Sequence, residues 1–131
     1  MALLSRDDIR AADDSEFDEI ECPEWGGAVR LSSISGRQRD RYEASLIEDR
    51  GGNRRANLEN ARAKLIVLCA VDEKGRKLFT PEDLNWLSAK SAKPLDRLFD
   101  ACRKLTGLSQ EDVDKLTEDF GATQDDASSI G

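Results

Sequence analysis

Seven consecutive residues, Leu65-Ile-Val-Leu-Cys-Ala-Val71, leave no polar face when wound into a helix, which marks a helix at the centre of a fold. The spacing predicts that this helix starts near Arg54, with Leu68 in its buried middle. A second stripe, Leu95, Leu98, Phe99, Cys102 and Leu105, falls at i, i+3, i+4, i+7 and i+10 and predicts an amphipathic helix ended by Gly107. Tyr42, Leu46 and Ile47 form a shorter stripe behind the capping-box pair Ser35 and Gln38, with Gly51-Gly52-Asn53 as its stop. Ser5, with Asp7 and Asp8 in the first turn, opens a short helix to about Ala12, and Thr80-Pro81-Glu82-Asp83 opens another bearing Leu84, Trp86 and Leu87. Ser109 and Asp112 frame a last one carrying Val113, Leu116 and Phe120. Residues 16–33 differ: they alternate loosely on either side of Pro-Glu-Trp-Gly-Gly, which predicts a β-hairpin with Trp25 near its tip. A lone hairpin is marginal in water, so it must lean on helices or on a partner's strand.

These elements predict a mainly α fold, a small helical domain of about five or six helices with an N-terminal β-hairpin. The expected domain spans residues 1–120, and residues 121–131, polar and small, read as a disordered acidic tail.

Charge sharpens the picture. The charged share is 36%, against the usual figure of about 25%, and only seven residues are aromatic. Residues 1–24 hold two Arg against nine acids, residues 25–108 seventeen Lys or Arg against eleven, and residues 109–131 one Lys against seven. Two acidic ends therefore flank a basic middle, within a net charge of −7. Arg37, Arg39, Arg41, Arg50, Arg54, Arg55, Arg62 and Lys64 fall on what the pattern gives as two adjacent helices. Such a row would suit phosphates or an acidic protein surface. Interleaved Asp40, Glu43, Glu48, Asp49 and Glu59, and the acidic total, weigh against nucleic acid.

Catalysis and cofactors find little support. Histidine is absent, which removes the commonest general base and the commonest metal ligand. Cys22, Cys69 and Cys102 are too scattered for a zinc site or a disulfide framework, and their odd number fits a reducing compartment. The stretch from Asp72 superficially resembles a calcium loop but has Lys74 and Arg76 at its third and fifth positions. No phosphate-cradling glycine motif occurs, no apolar run is long enough to span a membrane, and no signal-peptide core precedes Ser5. The sequence reading is a binding protein, not an enzyme, without cofactor, metal or membrane.

Several segments, taken in order, resemble the tail assembly chaperones of long-tailed, siphovirus-type bacteriophages. Leu4-Ser-Arg-Asp-Asp-Ile-Arg-Ala-Ala-Asp13 is similar to the family's first helix, and Glu21-Cys-Pro-Glu-Trp-Gly-Gly-Ala-Val-Arg30 to its hairpin. Ser35-Gly-Arg-Gln-Arg-Asp-Arg-Tyr-Glu43 resembles the following helix, and Ala63 to Gly75 with Leu78-Phe-Thr80 the central helix and turn. Leu95-Asp-Arg-Leu-Phe99 and Leu105-Thr-Gly-Leu-Ser109 extend the likeness, which spans residues 3 to 118. Cys22 departs from it, standing where a β-branched residue is expected. The resemblance implies a soluble protein of the host cytoplasm that binds the tape measure protein, recruits tail tube subunits and is missing from the finished particle. It also implies a longer frameshifted form of the same chain as a partner; self-association is a further expectation. The rival readings are a small nucleic-acid-associated phage regulator using the arginine row and a structural head or tail component. The residues expected to meet a protein partner are Trp25, Arg37, Arg41, Arg54, Arg55 and Trp86. The ordinary place for both tryptophans is the core; an exposed one becomes the leading contact, because Trp is enriched in interface hot spots.

Overall fold

The computed structural model describes residues 2–56 and 59–108, with the backbone alone at 48–50 and 53–56. The expected last helix, the acidic tail and the domain limit at residue 120 lie outside the described residues.

Five α-helices occur among the described residues, with a three-stranded sheet and a separate two-stranded one. Helix α1 (Arg6–Ala11) opens on a closed capping box: Ser5 Oγ accepts from the Asp8 N–H at 3.1 Å, and the Asp8 carboxylate accepts from the Ser5 N–H at 2.9 Å. The hairpin follows as β1 (Phe17–Cys22) and β2 (Gly27–Ser32), antiparallel with Phe17 opposite Ser32 and Cys22 opposite Gly27. A 3₁₀ turn over Pro23–Trp25 joins them, and Gly26, at φ 81°, makes the reversal that a side chain would resist. Helix α2 (Gly36–Ser45) begins at the predicted Ser35/Gln38 capping box.

The next segment corrects the sequence reading. No helix starts near Arg54. Strands β3 (Ile47–Arg50) and β4 (Asn53–Ala56) form a second hairpin closed by Gly51 and Gly52, at φ 58° and 85°. Two consecutive positive φ values define the two-residue loop that matches the twist of paired strands, so Gly-Gly here reverses the chain instead of only stopping a helix. The arginines at 50, 54 and 55 consequently lie on strands, and the row on adjacent helices does not form.

Helix α3 (Ala61–Cys69) therefore starts later than expected, and it also stops earlier. Ala70 turns extended (φ −69°, ψ 131°), and Ala70–Val71 become β5, antiparallel to β2 with Leu31 opposite Ala70 and Arg30 opposite Val71. This third strand supplies what a hairpin alone lacks. Asp72 then caps a turn, its Oδ1 accepting from the N–H groups of Lys74 at 2.8 Å and Arg76 at 2.9 Å. The Thr80 capping box and a 3₁₀ turn over Pro81–Asp83 lead into α4 (Leu84–Ser88). The long α5 (Ala92–Thr106) ends at Gly107, φ 73°, as predicted.

Helices α3 and α5 pack on each other and on one face of the three-stranded sheet. Leu31, Leu65, Ile66 and Leu98 of these elements and Leu87 of α4 are fully enclosed in one core, and Cys22, Cys69 and Cys102 are buried and free. Cys69 and Cys102 act as small apolar groups; contact with the Cys69 side chain and burial push the Cys102 thiol far up. Leu68, expected at the centre, is only partly buried, because α3 has a cleft on that side. The hairpin tip is tied to α5 by a two-point ion pair, Arg97 Nη1 and Nη2 to the Glu24 carboxylate oxygens, each at 2.8 Å.

Leu98→Ala removes a side chain with no exposed surface and should cost about 2–5 kcal/mol, seen as a lower urea midpoint with an unchanged slope. An unchanged midpoint would contradict the packing described. The Glu24–Arg97 pair predicts an acid dependence. Hydrogen bonding to Arg97 lowers the Glu24 carboxyl from 4.5 to about 2, so between those values the unfolded chain binds the extra proton. The pair's stabilisation is complete above about pH 4.5 and drains away as pH falls toward 2. Glu24→Gln should flatten the decline of melting temperature over that interval; an identical decline in both proteins would show that the pair does not contribute.

Candidate protein-binding surface

Trp86 stands on α4 with 49% of its surface exposed. Its indole N–H donates to Asp83 Oδ1 at 2.9 Å, and its ring meets Phe79 edge-on at 5.8 Å between centroids. Asp83 is itself fixed, since its other oxygen accepts from the Thr80 N–H at 2.8 Å. The Thr80 N–H and the Trp86 indole together hold the Asp83 carboxyl below its usual range, the first contributing more. The capping box of the turn that leads into α4 thus also orients the tryptophan. An aromatic surface held rigidly before binding loses little conformational freedom on contact. Leu78, in the same segment, is exposed as well, its N–H anchored to the Ala70 carbonyl at 3.0 Å.

Trp25 lies elsewhere, at the tip of the first hairpin, 37% exposed. The neighbouring Glu24 is held by Arg97, which secures that tip against α5. Neither tryptophan is a core residue, contrary to the ordinary expectation. The domain closes its interior with aliphatic side chains, cysteines and Tyr42 instead.

A third feature is an apolar cleft of about 220 Å³ between α2, α3 and the turn into α4. Tyr42, Val67, Leu68, Pro81 and Leu84 line it, with Arg41, Ser45 and Lys64. Tyr42 donates to the Ala61 carbonyl at 3.0 Å, and burial raises its phenol well above the ordinary range. Lys64 Nζ donates to the Ser45 carbonyl at 3.3 Å, which joins α2 to α3 beside the cleft. The cleft is sized for side chains rather than for a whole helix.

The structure scatters the six predicted contact residues. Arg41 lines the cleft, and Arg37, also exposed, lies one helical turn before it on α2. Arg54 and Arg55 belong to β4, their backbones opposite Asp49 and Glu48. The two tryptophans occupy separate elements. Other members of the supposed row are engaged by acids: Arg39 binds Glu43 at 2.9 Å, and Arg62 pairs with Asp96. Val67, Pro81 and Leu84, which the sequence offers only as structural residues, meet Lys64 of the basic row at the cleft in three dimensions. Among the described residues, no group of three His, Cys, Asp or Glu side chains converges to hold a metal ion, and no helix is long and apolar enough to cross a membrane.

No protein-family model matches the chain, and no curated protein matches it in sequence. Among solved structures, the chain is similar to the tail assembly chaperone of bacteriophage HK97, with a TM-score of 0.52 and 17% sequence identity. The likeness covers 70% of this chain and 85% of that one. At that identity the shared property is the fold, and the chain has the fold of a phage tail assembly chaperone.

Proposed function

We propose that this protein is a tail assembly chaperone of a long-tailed bacteriophage, working in the host cytoplasm and absent from the mature virion. Its client is the tape measure protein, which it keeps soluble while tail tube subunits are recruited around it; a longer frameshifted form of the chain is a further partner. The role is one of binding, with no catalytic step. The single observation that carries this reading is the fold shared with the HK97 tail assembly chaperone over most of both chains. The surface agrees with it. A tape measure is a long helical chain with apolar faces, and such a chain aggregates unless something soluble covers it. Trp86 and Leu78 offer exposed apolar surface on a firmly held segment, within a protein whose net charge of −7 keeps the complex dispersed. The regulator reading loses its main support once the arginine row is divided among helices and strands.

Coexpression with the tape measure candidate, the long helical reading frame of the same gene cluster, tests the role. The full-length protein should keep that partner in the soluble fraction. Trp86→Ala should weaken binding by more than 1 kcal/mol, on the order of tenfold, with little effect on folding since the side chain is half-exposed. A partner equally soluble with no chaperone present would refute the role, and full binding by Trp86→Ala would refute the site.

A further inference from the structure

The cleft of Tyr42, Val67, Leu68, Pro81 and Leu84 presents apolar surface beside two cations, Arg41 and Lys64, and no acid stands among its described lining residues. An occupant with one apolar side and an acidic surround matches both properties. The chain itself supplies such a segment. Val113, Leu116 and Phe120 follow one another at i, i+3 and i+7, the spacing of one helical face. Glu111, Asp112, Asp114, Glu118 and Asp119 surround them, against the single Lys115. On a helix, Asp112 and Asp119 fall along one flank of the stripe, where they can meet Arg41 and Lys64.

We infer that the segment 109–120 folds back along α2 and seats Leu116 and Phe120 in the cleft of its own chain. Position favours it, because α5 delivers the chain to α2. Arg39 Nη1 donates to the Thr106 carbonyl at 3.5 Å, a Cβ at Gly107 would lie 3.7 Å from the same nitrogen, and Leu108 is buried in the core. Residue 109 therefore starts beside the helix that carries Arg41, Tyr42 and Ser45 to the cleft. From Arg39 to Ser45 that helix rises about 9 Å, whereas the chain from Leu108 to Phe120 spans about 18 Å even when wholly helical. The stripe has the reach. Size agrees too, since about 220 Å³ suits two side chains better than a whole helix. A tethered segment is present at an effective concentration on the order of millimolar, so it outcompetes a free partner of the same chemistry. While it is seated, the cleft is closed to other apolar segments, and Trp86 and Leu78 remain open to a partner. The inference places one part of the chain on another and does not rest on the chaperone reading.

Thiol trapping in the full chain provides the test, the three native cysteines being buried. Leu84→Cys combined with Phe120→Cys, oxidised with diamide, should close a disulfide within one chain. Closure should be about tenfold faster than for Leu84→Cys with Ile130→Cys, which reports a tail that only wanders near the body. Lys64→Cys with Phe120→Cys repeats the measurement from the rim, without altering an apolar lining residue. Maleimide should label Leu84→Cys about tenfold faster once Leu116→Asp and Phe120→Asp are added, and added salt should speed labelling of the parent by screening Arg41 and Lys64. Cys22, Cys69 and Cys102 should stay unlabelled throughout, which separates an opened cleft from an unfolded core. Equal closure rates at 120 and 130 would overturn the proposal. So would a disulfide formed only between chains, or a labelling rate untouched by the two Asp substitutions.

Discussion

At Ala70 the backbone leaves α3 and pairs at once with β2, and this change of conformation organises most of the molecule. A two-stranded hairpin alone is at best marginally stable in water. Here it gains a third strand from the residues that directly follow the core helix, so the helix and the sheet are fixed to each other by chain continuity. Leu31 on β2, Ile66 on α3 and Leu98 on α5 then lose all exposure together. Any shift in where α3 stops would move Val71 off its partner Arg30 and uncover that contact.

Local signals account for much of the remainder. Three capping boxes, at Ser5, Ser35 and Thr80, set helix starts or the turn before one, and Gly107 stops α5. These could be read from the sequence because each depends on residues only three apart. The first hairpin was legible for the same reason, through Pro-Glu-Trp-Gly-Gly. Two features were not. Leu65 to Val71 is apolar throughout, and an apolar run has no period with which to distinguish a buried helix from a buried strand. Ile47 to Ala56 is a charged hairpin whose apolar content is too low to show alternation, and its Gly-Gly serves equally as a helix stop and as a strand reversal.

The candidate binding surface was less legible than the fold. Both tryptophans were visible as candidates, but their exposure depends on how the core is filled, and aliphatic residues fill it. Trp86 owes its orientation to Asp83, a residue whose place in the sequence suggests only helix capping. The cleft draws side chains from three separated segments, and no spacing rule connects Arg41, Leu68 and Leu84. The arginines show the converse. Adjacency in sequence suggested one basic face, whereas the fold sends Arg41 to the cleft and Arg54 and Arg55 to a strand.

The buried core and the exposed aromatic surface consequently lie on separate elements of this small protein. The aliphatic core between α3, α5 and the sheet holds the shape, while the α4 segment carries exposed aromatic surface on a hydrogen-bonded frame. Hydrogen exchange of the intact chain, alone and with the purified tape measure protein, tests that division most directly. Slowed exchange across residues 78–88, with the core helix α3 little changed, is the predicted result. Unchanged exchange across 78–88 in a saturated complex would contradict it.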